Sequence, residues 1–184
     1  MTSNTSYKLR RIFKSSSTGP SVIKELLQMI FLSGLLAPSE RIWMVSPWIS
    51  DVPLLDNRSG SFDVMNPEWH RREIRLVDFA LQVLSGGSSL VIVTRPDEHN
   101  LTFLSQLSER VEEASLDNKL TIVKREHLHT KGVLTESGLL LGSMNLTFRG
   151  FELNDEVIEY DTSPQRIAEA RQGFQSYLEV PEND

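Results

Sequence analysis

Apolar and polar positions along this chain follow two different periods, and the switch between them sets out its elements. Residues 21–34, SVIKELLQMIFLSG, carry apolar side chains at helical spacing between Ser21, which follows Pro20, and Gly34, so a helix is expected. RIWMVSPWIS (41–50) is short, β-branched and aromatic and reads as a buried strand, whereas 51–66 shows no period and reads as a loop. Asn66 and Pro67 form a cap and first-turn pair. Leu76, Val77, Ala80, Leu81 and Leu84 then continue at helical spacing to Gly86-Gly87, predicting one helix from 66 onward. SSLVIVT is a strand, and DEHNLTFLSQLSERVEEASL is an amphipathic helix with Leu104, Leu107 and Val111 on one face. KLTIVKRE, KGVLT, LLLGSMN and DEVIEYD are strands, the middle two joined by a tight ESG turn. A last helix opens at Ser163-Pro164 and should bury Ile167, Phe174 and Leu178.

Helix and strand thus alternate in the first half, and strands cluster in the second. That order predicts an α/β fold, a mixed sheet with helices on both faces, in one domain spanning 21–184. The 184 residues, 39% of them hydrophobic, suffice for one sizeable core.

Charge adds one feature. The net charge is −6, but residues 1–20 carry Lys8, Arg10, Arg11 and Lys14 with no acidic residue, while 151–184 carry nine acidic and two basic ones. Residues 1–20 are therefore expected to be a basic, flexible arm able to touch phosphates. The absence of cysteine excludes disulfides, thiolate metal sites and a cysteine nucleophile. No apolar run is long enough to span a bilayer, and the first residues lack the apolar middle of a secretory signal, so a cytoplasmic protein without a membrane partner is expected.

The candidate chemistry lies in HLHTKGVLTESGLLLGSMN (127–145). On a strand, residues two apart point the same way, so His129 pairs with Lys131 and Ser143 with Asn145. The short turn makes the two segments neighbours. A histidine, a cation, a hydroxyl and an amide converging on one spot form an anion receptor with a nucleophile or base at its centre, and phosphate fits it. His127 shares a strand face with His129, but no third metal ligand stands at suitable spacing, and no metal or other cofactor is expected. Of the three tryptophans, Trp43 and Trp48 lie in an apolar strand and should pack in the core. Trp69, beside His70, Arg71 and Arg72, is the one expected to line a groove.

HTKGVLTE followed by GSMNLT resembles the phospholipase D superfamily signature: His-x-Lys, four residues, an aspartate, about six residues, then Gly-Ser-x-Asn. His129, Lys131, Gly142, Ser143 and Asn145 match it, and Asn154 and Glu156 supply the Asn-x-Glu that often follows. Two departures stand out. Glu136 occupies the position of an aspartate, and the gap to Gly142 is one residue short. The resemblance implies a metal-independent phosphodiesterase that pairs two His-x-Lys motifs, one histidine attacking phosphorus and the other protonating the leaving oxygen. This chain has one such motif, so the site would be shared by a homodimer. His129 would be nucleophile or acid, Lys131, Ser143 and Asn145 would bind phosphate, and Glu156 would orient a histidine. Glu136 and Gly142 would be structural. DNA is the implied substrate. Small proteins of this kind accompany DNA-modification and phage-defence gene sets, deazaguanine clusters among them, whose proteins are candidate partners. The alternatives are a phospholipid phosphodiesterase and a non-catalytic nucleic-acid-binding or assembly subunit.

Overall fold

A computed structural model of the chain describes residues 9–15 and 21–179. Its elements run β1 (Leu9–Lys14), α1 (Ser21–Leu36), β2 (Arg41–Val45), β3 (Pro53–Asp56), β4 (Glu73–Arg75), α2 (Leu76–Ser85), β5 (Ser89–Thr94), α3 (Glu98–Glu113), β6 (Leu120–Lys124), β7 (Gly132–Leu134), β8 (Leu139–Gly142), β9 (Glu156–Asp161) and α4 (Pro164–Glu179).

Alternation along the central strands decides how these elements layer. In β2, Ile42 and Met44 face one core and Trp43 and Val45 the other; in β5, Leu90 and Ile92 oppose Val91 and Val93 in the same way. Both faces are apolar, so both need cover. α1, α2 and α3 bury the first face through side chains such as Ile23, Leu27, Phe79, Phe103 and Leu107. α4 covers the second through Ile167 and Phe174, whose ring lies 6.1 Å from that of Trp43. The result is a seven-stranded mixed sheet in the order β1-β9-β8-β7-β2-β5-β6, with β2, β5 and β6 parallel and the remaining pairings antiparallel. This is the expected α/β architecture with helices on both faces. Among the described residues no helix is long and apolar enough to cross a membrane.

Five expectations need correction. The N-terminal arm is not wholly flexible: Leu9–Lys14 is a strand zipped to β9 from Leu9↔Asp161 to Lys14↔Glu156, its partner lying too far along the chain to be foreseen. Residues 1–8 and 16–20 of the arm lie outside the described residues. The helix expected from residue 66 begins ten residues later. Asn66 caps only a single 3₁₀ turn, Pro67–Trp69, after which Arg71 takes a left-handed φ of 53°. Glu73–Arg75 then pairs with Pro53–Asp56, so the supposed loop contains half a hairpin. The real start of α2 is fixed by Asp51, whose Oδ1 accepts from Val77 N at 3.0 Å, and by Asp78, whose Oδ2 accepts from Arg75 N at 3.0 Å. Trp69 is 1% exposed and lines no groove, because it is buried in the larger core. Leu178, assigned to the core, is 40% exposed near the end of α4.

Candidate active site

Sheet register gathers the polar residues at one end of the sheet. β2 and β5 end there, β7 begins there opposite Val45, β8 ends there, and β9 and β1 meet there through Glu156 and Lys14. The carboxyl ends of parallel strands are where open α/β sheets bind ligands.

His129 and Lys131 precede β7 rather than lying within it. Leu128 is buried in the smaller core and anchors the segment, which leaves His127 and His129 exposed on either side. Tyr177 of α4 braces the same segment, its hydroxyl 3.1 Å from Thr130 Oγ1. Lys131 is half-buried and its Nζ donates to the His129 carbonyl at 2.6 Å, tying the two residues together. Burial, and then the positive charge of Arg95, hold the Lys131 ammonium below its ordinary pKa, with Glu156 pulling the other way.

On the adjoining segment, Ser143 Oγ donates to Glu156 Oε2 and accepts from Val157 N at 3.0 Å. Asn154 Nδ2 donates to Glu156 Oε1 at 3.3 Å. Within one chain the buried Glu156 is thus taken up by Ser143 and Asn154 rather than by a histidine, and the serine hydroxyl faces the carboxylate. Lys14 is buried close by, and its Nζ donates to Gly150 O at 3.1 Å. Burial lowers its pKa, against the opposing pull of Glu156, Glu152 and Asp155. Among the described basic residues of the N-terminal arm, Arg10, Arg11 and Lys14, this one is turned into the protein.

Asn145 is placed by its neighbour: Leu146 N donates to Ser46 Oγ at 3.1 Å, and Leu146 bridges Ile49. The Asn145 Oδ1 atom is buried without a hydrogen-bond partner among the described residues; as an acceptor it cannot hold an anion, so the Nδ2 donor is the atom that could. Gly142 pairs with Ile158, and a Cβ there would stand 2.2 Å from Val157 O. Gly142→Ala is therefore expected to force β8 and β9 apart at a cost of about 1–3 kcal/mol. Calorimetry should show a melting point lower by several degrees; an unchanged one would mean the strands yield freely. Glu136 lies at the far end of the β7–β8 hairpin, where its Oε2 accepts from Arg171 Nη2 of α4 at 2.7 Å, too remote to touch the same ligand as His129.

Sequence reasoning missed two residues at this edge. Arg95, just past β5, places Nη2 3.1 Å from His129 Nε2 and Nε 2.9 Å from Leu128 O. Its guanidinium lies 5.2 Å from the ring centroid of half-buried Trp48, whose indole N–H donates to Asp97 Oδ2 at 3.0 Å. The one available signal was position: a basic residue immediately after a parallel strand. Arginine cannot accept a hydrogen bond, so His129 Nε2 is the acceptor and carries a lone pair, with the ring proton on Nδ1. An imidazole nitrogen capped by Arg95, the Lys131 ammonium and the Asn145 amide thus lie at the same end of the sheet. That set can hold a tetrahedral anion and attack it.

Fold and site together define a phospholipase D-like domain. The family model described as "Cardiolipin synthase, PLD-like domain" matches residues 39–178, and the chain belongs to that family. Among solved structures it is similar to NucT from Helicobacter pylori, with a TM-score of 0.59 and 14% identity over 95% of this chain and 97% of that one. It is also similar to Nuc from Salmonella typhimurium, a phospholipase D family member, with a TM-score of 0.58 and 11% identity over 95% of each chain. A third similar structure is TrmBL2, an archaeal chromatin protein described as showing a novel mode of DNA binding, with a TM-score of 0.54 and 12% identity over 96% of this chain and 55% of that one. A sequence search of curated proteins gives no match.

Proposed function

We propose that the chain is a metal-independent phosphodiesterase that cleaves DNA through a phosphohistidine, in a site shared by two copies. The observation that carries this reading is the lone pair of His129 Nε2 among the donors Lys131, Asn145 and Arg95. Nε2 of one copy attacks phosphorus, and the leaving oxygen takes a proton from the protonated imidazole of the other. That second histidine then draws a proton from water as the water attacks and releases the phosphohistidine. Lys131 and Asn145 hold the non-bridging oxygens, where charge develops. Glu156 fixes the Ser143 segment beside them.

Sharing follows from stoichiometry, since two imidazoles of opposite protonation are needed and one chain carries a single His-x-Lys. An exposed apolar rim beside the site supports it: Phe13 is 64% exposed, and Phe148, Leu153 and Val157 are exposed with it. DNA is favoured by the DNA binding described for the similar TrmBL2. The family model's description favours a phospholipid instead.

Purified protein with labelled single- and double-stranded DNA in EDTA, beside phospholipid vesicles, separates the readings. DNA fragments in EDTA are expected. Headgroup release with intact DNA would replace the substrate, and DNA binding without any cleavage would replace the enzyme by a binding subunit.

A further inference from the structure

Arg95 is unusual among the cations at this edge because it is held firmly yet left unneutralised. Its backbone is clamped from both sides: Arg95 N donates to Pro47 O at 3.3 Å, and Arg95 O accepts from Asn100 Nδ2 at 2.9 Å. Asn100, fully buried, also bonds Pro47 O and Thr94 Oγ1 and accepts from Ile49 N, so one amide locks the ends of β2 and β5 together. The side chain is fixed by Leu128 O, His129 Nε2 and the Trp48 face. No carboxylate forms an ion pair with it among the described residues; the nearby Asp97 is spent on Trp48 and on the backbone of His99. A guanidinium has five N–H donors, and two are used here, which leaves three free beside the reactive nitrogen. A planar donor set of this kind matches two oxygens of a phosphodiester.

We infer that Arg95 both binds the scissile phosphate and gates the nucleophile, capping His129 Nε2 until a phosphodiester oxygen draws its N–H away. The inference rests on the phosphodiesterase reading for its chemistry. No proton moves in the gating step: one Arg95 N–H exchanges its acceptor, from Nε2 to a non-bridging oxygen. The lone pair so released forms the N–P bond while the P–O bond to the leaving group breaks, and that oxygen takes its proton from His129 of the partner subunit. The gate limits wasteful reaction of the imidazole and couples its release to arrival of the correct anion. The exchange shifts the guanidinium relative to the indole face, which gives Trp48 a signal of its own.

Two readouts test this, one independent of turnover. Titration with inorganic phosphate, followed by tryptophan fluorescence and by ¹⁵N resonances of the His129 ring, is expected to perturb Trp48 and Nε2 in the unmodified protein. Arg95→Gln should abolish both changes, Trp48→Phe should remove only the fluorescence change, and Arg95→Lys should recover phosphate binding through its charge. In turnover of bis(4-nitrophenyl) phosphate, Arg95→Gln is expected to raise KM and to lower kcat/KM by about 10²-fold. Equal phosphate responses in Arg95→Gln and the unmodified protein would overturn the inference, as would equal kcat/KM. Arg95-dependent phosphate responses without cleavage of any phosphodiester would instead leave the anion site standing and remove the phosphodiesterase reading.

Discussion

Protein carrying His129→Ala is expected to lose cleavage by at least about 10³-fold, the scale seen when a covalent nucleophile is removed from a site that otherwise keeps its binding groups. Stability should stay within about 0.5 kcal/mol, because the ring is exposed and its one side-chain hydrogen bond among the described residues is to Arg95. The buried Leu128, not the histidine, fixes the backbone there. The variant also tests the shared site. If two histidines serve one phosphate, a mixed pair of one unmodified and one His129→Ala subunit has no complete site. Co-refolding the two proteins at varied ratio should then give activity falling with the square of the unmodified fraction. A linear fall would mean that each chain works alone, and the division into nucleophile and acid would have to be abandoned.

Why some of this was legible beforehand, and some not, follows from the range of the interactions involved. The two-residue period of Ile42 to Val45 and of Leu90 to Val93 is a local property of strands buried on both faces, so the central sheet could be read directly. The His129, Lys131, Ser143 and Asn145 constellation was legible because a short turn makes its two halves neighbours, although the residues flank β7 and β8 rather than sit in them. Residues 51–75 were misread because local signals there are overruled at a distance. Asn66-Pro67 is a sound cap, yet Arg71 turns the chain and Asp51 supplies the bond that starts α2. β1 was lost for the same reason, its ladder lying on β9 near the other terminus. The tryptophans exchanged roles: Trp69 vanishes into the core, and Trp48 comes to the site carrying Arg95. Nothing in the composition of VIVTRP sets Arg95 apart. Only folding brings β5 beside the segment that holds His129.

Removing Asp78 is expected to cause a large loss of stability for a single polar change outside the site. Its side chain is 6% exposed and accepts from Arg72 Nη1 at 2.6 Å and Nη2 at 3.0 Å, from Arg110 Nη1 at 2.8 Å and from Arg75 N at 3.0 Å. One carboxylate therefore ties the first turn of α2 to β4 and to α3. Asp78→Ala leaves two arginines without their counter-charge, which costs about 3–5 kcal/mol for a fully buried pair. Both guanidinium groups are partly exposed, at 38% and 40%, so the lower end applies. A fall in melting temperature of roughly 6–12 °C follows for a chain of this size. The pH dependence distinguishes charge from packing. Burial alone would raise the Asp78 pKa, but the bonds from Arg72, Arg110 and the Arg75 backbone outweigh it and hold the carboxyl at about 2, against 3.8 for a free aspartate. A depressed folded-state pKa contributes stability that is complete above the unfolded value and disappears as pH falls from 3.8 toward 2. At about 1.36 kcal/mol per pKa unit, roughly 2 kcal/mol of the advantage over Asp78→Ala should vanish across that window. Urea denaturation of both proteins at neutral pH and near pH 2 measures it. A gap unchanged by acid would assign Asp78 to packing alone. A gap that closes assigns the contribution to the charge of this ion cluster, which ties the first turn of α2 to α3.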